Sequence, residues 1–216
     1  MILCIYNIIG ISEEVIFRNY ADAYSYLRLF QKELELETEI FYCAITLFYY
    51  YNYFNSFRNF KYFEICPVCI FCACKLKSNK LYLKQIVKIH NKKFPFQTMD
   101  NKSIINLETK VLKLCEFQDT DNPIVYLTKY CNKIDKDDKE LYSFSRKLLT
   151  ESFLRPIVVH FNVEYIAVAC ILIAYNVKYD KNMLFELNLN HEGNEFHLDY
   201  EILCKCIKNI LNIYNL

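Results

Sequence analysis

Two glycines, four prolines and no tryptophan in 216 residues leave little from which to build tight turns. A β-protein needs a turn roughly every 8–12 residues, drawn largely from Gly, Pro, Asn and Asp. Asn could serve at some of them, but connections nearly free of glycine favour helices. Nor can two glycines build a dinucleotide-binding glycine motif, a P-loop or a nucleophile elbow. Charge of one sign is also lacking. Lys+Arg 26 against Asp+Glu 25 gives a formal net charge of +1, without the basic footprint that nucleic acid or anionic membrane usually demands. Long apolar runs are missing too. The opening MILCIYNIIGI is about half the length of a membrane span, and residues 40–54 contain Thr46 and Asn52 and fall short of one. No basic region with a small-residue cleavage site follows Met1, so no secretory signal is expected.

What is present suits a folded core. The chain is 54% hydrophobic and 24% charged, the balance of a globular protein rather than a disordered one. Its length allows one large domain or two of about 100 residues. Residues 69–80 (CIFCACKLKSNK) recur in blurred form as residues 170–181 (CILIAYNVKYDK). A shift of 101 positions superposes Cys69 on Cys170, Ile70 on Ile171, Ala73 on Ala174, Lys77 on Lys178 and Lys80 on Lys181. Each copy is a bulky-and-small apolar run ending in a lysine-bearing tail. The echo points to duplication of one helical module, with Cys69 and Cys170 each in the central buried helix of an all-α bundle.

Periodicity and capping place the elements. Ser12 with Glu13 and Glu14 suits a helix start, and that helix runs to about Lys32 with Val15, Tyr26, Leu29 and Phe30 among its apolar positions. A second helix over 37–54 is apolar almost all round, as expected of one buried among others. A third spans 64–76, with Pro67 either in its first turn or kinking it. A short fourth covers 81–90 and ends before Phe94-Pro95-Phe96. The fifth starts near Ser103 and carries Ile104, Leu107, Val111 and Leu114 at helical spacing. Residues 116–122 (EFQDTDN), closed by Pro123, form the linker. The pattern then repeats with helices over 124–131, 136–153 and 163–177, a short one over 183–189, a loop over 190–195 and a final helix capped by Asp199. That last helix carries Leu203, Ile207, Ile210, Leu211 and Tyr214 on one stripe.

Candidate chemistry is sparse. Cys66, Cys69, Cys72 and Cys74 invite a zinc reading, but one helix would point them in different directions and no second ligand pair follows. Cysteine also behaves as a small hydrophobe, so these thiols are expected to be reduced core residues that hold no metal. His90, His160, His191 and His197 form no HExxH motif and are expected to be solvent-exposed or capping. No catalytic residues and no cofactor are expected.

The order of helices, with a buried third ending in lysine and a fifth carrying glutamate, resembles the cyclin box. The resemblance covers nearly the whole chain as two boxes in tandem, residues 12–117 with a leading helix and residues 123–216. It rests on Ala44-Ile45, on the run Cys66-Pro67-Val68-Cys69-Ile70-Phe71-Cys72-Ala73-Cys74-Lys75, and on Leu107-Glu108 with Val111, Leu112, Leu114 and Phe117. In the second half it rests on Ile166-Ala167-Val168-Ala169-Cys170 and on residues 207–214. These are most similar to the transcription-type C, K, L and T classes. The resemblance implies a non-catalytic subunit, nuclear or nucleo-cytoplasmic and not secreted, that binds and activates a transcription-related cyclin-dependent kinase. By the same resemblance Lys75 and Glu108 would pair with the kinase, supported by Leu76, Leu112 and Phe117. The chain departs from the family where acidic residues usually follow that lysine, since Lys77 and Ser78 stand there. The alternative is a relative of transcription factor IIB, which also pairs cyclin-like folds. That class would want a basic DNA-facing surface and usually a zinc ribbon, and neither is evident here.

Overall fold

Apolar side chains on every side of residues 65–74 leave that stretch of helix no face to give to water, and the N-terminal half is arranged accordingly. The computed structural model describes residues 13–55, 61–80, 83–114, 121–180 and 198–214. It divides into two compact units, Met1–Asp121 and Asn122–Leu216. The first contains α1 (Glu13–Glu33), α2 (Thr38–Phe54), α3 (Tyr62–Leu76), α4 (Leu83–Lys93) and α5 (Asn101–Leu114). Helix α3 packs against each of the other four. The second contains α6 (Pro123–Ile134), α7 (Lys139–Ser152), a 3₁₀ turn (Ile157–Val159), α8 (Val163–Tyr179) and α9 (Tyr200–Leu211). There α8 packs against α6, α7 and α9. The described residues contain no strand, and the fold is all-α.

Cys69 in α3 and Cys170 in α8 are both wholly buried, as their echo in the sequence anticipates. In α3 the buried residues run continuously from Ile65 to Ile70 and resume at Cys72, Ala73 and Cys74. In α8 they run unbroken from Ile166 to Ala174. A helix so enclosed needs small side chains between large ones, which Cys and Ala supply. Burial pushes the Cys74 thiol up to about 12 and the Cys66 and Cys170 thiols well above their usual range. Thiols held in that state are poor nucleophiles and poor metal ligands.

Five helix starts are capped by Asp or Asn. Asp100 accepts from Ser103 N at 2.8 Å, Asn122 from Ile124 N, Asp138 from Leu141 N, Asn162 from Glu164 N and Asp199 from Ile202 N. Each such cap contributes about 1 kcal/mol. At the other end glycine scarcity shows in the backbone. Glu35, Ser78 and Asp180 take left-handed conformations with φ of 51°, 53° and 50°. Beyond α3, Asn79 N reaches Cys74 O at 2.8 Å and Ser78 N reaches Lys75 O at 3.1 Å. This is the Schellman arrangement, with serine where glycine is usual. Glu35 closes α1 in the same way, through Leu36 N to Gln31 O and Glu35 N to Lys32 O.

Several expectations need correction. The buried stripe of α1 is Ile16, Tyr20, Ala23, Tyr26, Leu27 and Phe30, which leaves Val15 49% exposed. Pro67 lies within α3 beyond its first turn, where a missing N–H removes one internal hydrogen bond. Helix α5 begins at Asn101, two residues before the expected start near Ser103, because Asp100 caps it. Helix α7 begins at Lys139, where Asp138 caps it. The C-terminal stripe is Leu203, Cys206 and Ile210, with Ile207, Leu211 and Tyr214 only half-buried. The Ser12 start, the 183–189 helix, the 190–195 loop and most of the 116–122 linker lie outside the described residues.

His90 is the largest departure, because it is fully buried rather than exposed or capping. Its Nε2 lies 2.5 Å from Gln97 O and its Nδ1 lies 2.6 Å from Tyr26 Oη. A carbonyl can only accept, so Nε2 donates to Gln97 O, while Nδ1 shares a hydrogen bond with the Tyr26 hydroxyl. This ring ties α4 to α1 and to the turn after α4, with Phe94 stacked on Tyr26 at 5.0 Å. The Tyr26 hydroxyl is buried and loses its partner if the ring is replaced. His90→Phe should therefore cost about 1–3 kcal/mol, the penalty for one stranded polar group. Urea denaturation would measure this, and adding Tyr26→Phe should cost less than the sum of the two single changes because they share a bond.

Candidate functional site

Helix α3 reaches the surface at its last turn. Lys75 is its one exposed residue. The side chain turns toward α5, where Nζ meets Glu108 Oε1 at 2.5 Å. The same ammonium lies 4.5 Å from the centroid of the Phe71 ring, one turn earlier, within range of a cation–π contact. The pair is unevenly covered. Lys75 has 52% of its side chain exposed and Glu108 only 15%, so the carboxylate is fixed against the protein while the ammonium keeps an open side. Leu76 and Leu112 are each half-buried beside it in sequence and in helical register. The structure thus brings together Lys75 and Glu108, two of the residues the sequence singles out. Phe117 lies outside the described residues.

One residue of this surface was missed. Ile105 is 52% exposed on α5. With Glu108 and Leu112 it occupies positions i, i+3 and i+7 of one stripe. Ile104 and Val111 carry the buried face of the helix, and the apolar periodicity followed them instead. The signal was a second, shorter apolar line flanking Glu108.

The corresponding end of α8 is built differently. Lys178 Nζ lies 2.5 Å from Asp138 Oδ1 and 3.2 Å from Glu140 Oε2. Tyr179 also donates to the second oxygen of Asp138. Asp138 already caps α7 through Leu141 N, and only 6% of its side chain is exposed. Burial pushes its carboxyl up, but donation from Lys178, Tyr179 and the Leu141 amide outweighs it and holds the group down at about 2. This lysine is consumed internally, whereas Lys75 is only half covered.

Residues 6–118 match the family profile described as "Cyclin, N-terminal domain". That is more than half of the chain, and the protein belongs to the cyclin family, whose members are regulatory subunits. Characterised protein sequences give no significant match. Among solved structures, the chain is similar to one in the yeast RNA polymerase II CTD kinase CTDK-1 complex, with a TM-score of 0.82 at 16% identity over 94% of this chain and 67% of that one. It is similar to a chain of the yeast TFIIK complex, with a TM-score of 0.66 at 20% identity over 91% and 87%. A viral cyclin from herpesvirus saimiri gives 0.65 at 12% identity over 92% and 85%. At such identities the likeness is one of fold. No helix among the described residues is long and apolar enough to cross a membrane.

The Asp138 constellation has a pH signature. Its carboxyl titrates near pH 4 when unfolded and near 2 when folded. The stabilisation is therefore fully present above the unfolded value and is lost as pH falls toward 2. Asp138→Asn keeps a capping oxygen but removes the charge. It should lower the melting temperature at pH 7 and flatten the acid limb between about pH 5 and pH 2, as thermal melts across that range would show.

Proposed function

We propose that this protein is a non-catalytic, nuclear subunit that binds and activates a cyclin-dependent kinase acting in transcription. The observation that carries the proposal is the Lys75–Glu108 pair at the surfacing end of the central helix, with Leu76, Leu112 and Ile105 around it. Such a surface combines apolar area with charged groups that fix orientation, which is what a specific protein interface needs. The proposed contact set is Lys75, Leu76, Glu108, Leu112 and Phe117, extended by Ile105. Fold likeness to a chain of an RNA polymerase II CTD kinase complex supports a transcription-related client. The transcription factor IIB alternative draws no comparable observation from this surface.

The chemistry asked of the patch is positional. A kinase transfers phosphate only when the glutamate of its regulatory helix pairs with the lysine that positions ATP. A rigid surface that captures this helix holds that ion pair closed. Glu108 is suited to receive donors from the kinase because Lys75 already fixes its carboxylate. Lys75 has open directions left for carbonyls at a helix end. The family's acidic residues after this lysine are replaced by Lys77 and Ser78, and Ser78 serves to reverse the chain rather than to extend the contact.

The test is affinity for a kinase recovered with the tagged full chain and identified by mass spectrometry. Truncating a charged partner in a buried interface typically costs about 2–5 kcal/mol. Lys75→Ala with Glu108→Ala should abolish or greatly weaken binding while the helical spectrum and melting temperature stay nearly unchanged. Lys208→Ala on α9 should leave affinity as it is. Unaltered affinity in the double variant would falsify the site assignment, though not the fold.

A further inference from the structure

The 35 residues from 65 to 99 contain seven lysines and no aspartate or glutamate. A net charge of +1 over the whole chain conceals this segregation. Lys75 is paired with Glu108 at 2.5 Å and Lys93 with Glu33 at 3.0 Å. Lys92 lies within electrostatic reach of that same Glu33. Helix α4 carries most of the rest. Lys84, Lys88 and Lys92 are spaced i, i+4 and i+8, and all three are exposed. They form one line of ammonium groups about 12 Å long, at 1.5 Å rise per residue. Neither Lys84 nor Lys88 makes an ion pair among the described residues.

Immediately beyond this helix stands a second unusual feature. Phe96 is 100% exposed, the most exposed large apolar side chain among the described residues. Its turn is not loosely built. Phe94 N bonds to His90 O at 2.8 Å and Gln97 N to Phe94 O at 3.0 Å. His90 holds Gln97 O, and Asn91 holds both the N–H and the carbonyl of Met99. A ring is thus displayed in water from a backbone anchored on both sides, three residues past the last lysine of the helix.

We propose that the lysine line of α4 and Phe96 form a binding surface for single-stranded nucleic acid. The lysines neutralise successive phosphates, and an unstacked base lies on the exposed ring. Stacking platforms joined to basic tracks are the means by which proteins hold single strands without reading sequence. A lipid surface fits less well, because it needs an apolar helix face and α4 turns Ile86 and His90 inward. An acidic peptide would use the lysines but has no need of a bare ring without a pocket around it. A duplex keeps its bases stacked and would leave Phe96 idle. This surface is independent of the kinase-binding reading, since neither Lys75 nor Glu108 takes part.

Fluorescence anisotropy with the full chain tests the proposal, using a labelled 20-nucleotide single strand of mixed sequence, as RNA and as DNA, at 50 mM salt. Either single strand should bind more tightly than the duplex of the same sequence. The salt dependence should have a slope of about −2, the value for roughly three phosphates on a single strand. Lys84→Ala/Lys88→Ala/Lys92→Ala should bring that slope close to zero. Phe96→Ala should weaken binding about five- to 150-fold, the range for one stacked base, without changing the slope. Lys205→Ala with Lys208→Ala on α9 should change neither. No binding at 50 mM salt, equal affinity for the duplex, or indifference to Phe96→Ala overturns the proposal. So does equal competition by polyglutamate, which would mark an acidic-peptide site, or by phosphatidylserine vesicles, which would mark a lipid surface.

Discussion

Enclosure of one apolar helix on all sides is the constraint from which the rest of each unit follows. A helix with a polar face can lie on a surface, but α3 and α8 have none along most of their length, and must be surrounded before they are stable in water. Four helices surround α3 in the N-terminal unit, and three described helices pack on α8 in the other. Close approach from several directions demands small residues among the large ones. That requirement, more than any reactivity, accounts for Cys66, Cys69, Cys72, Cys74 and Cys170 and for the alanines between them. The lysines at the ends of both helices mark where the enclosure stops.

The fold was largely legible because its signals are local. Scarcity of glycine, apolar runs of helical length, and Asp or Asn before most helices can all be read along the chain. The 101-residue echo located both central helices correctly through Cys69 and Cys170. Errors arose where a tertiary neighbour decides. Val15 and Ile16 are equally apolar, and only the packing of α1 selects Ile16. Nothing near His90 in sequence announces Tyr26, 64 positions away. At the candidate site, Lys75 and Glu108 came from family resemblance rather than from spacing. Their meeting across 33 positions depends on how α3 and α5 cross. Ile105 escaped because the stronger apolar line through Ile104 and Val111 masked the weaker one beside it.

The two lysines also show how one sequence element yields different surfaces. Lys178 meets a nearly buried carboxylate, a second carboxylate and a tyrosine hydroxyl, so the end of α8 is closed by its own charges. Lys75 meets one carboxylate and one aromatic face. The sequence echo aligns Lys178 with Lys77 rather than Lys75, so the two charges do not descend from one position of the repeat. Similar chemistry has been placed two residues apart and given different partners.

Because the buried stretch of α3 ends at Cys74 and the helix surfaces in its last turn, what that turn displays is decoupled from what the helix buries. Substitutions in the last turn alter the shape and charge offered outward, while the fifteen-residue helix behind them keeps its core contacts. If the proposed contact surface is the right one, single changes at Lys75 or Leu76 would alter what a partner meets without requiring compensating changes inside the bundle.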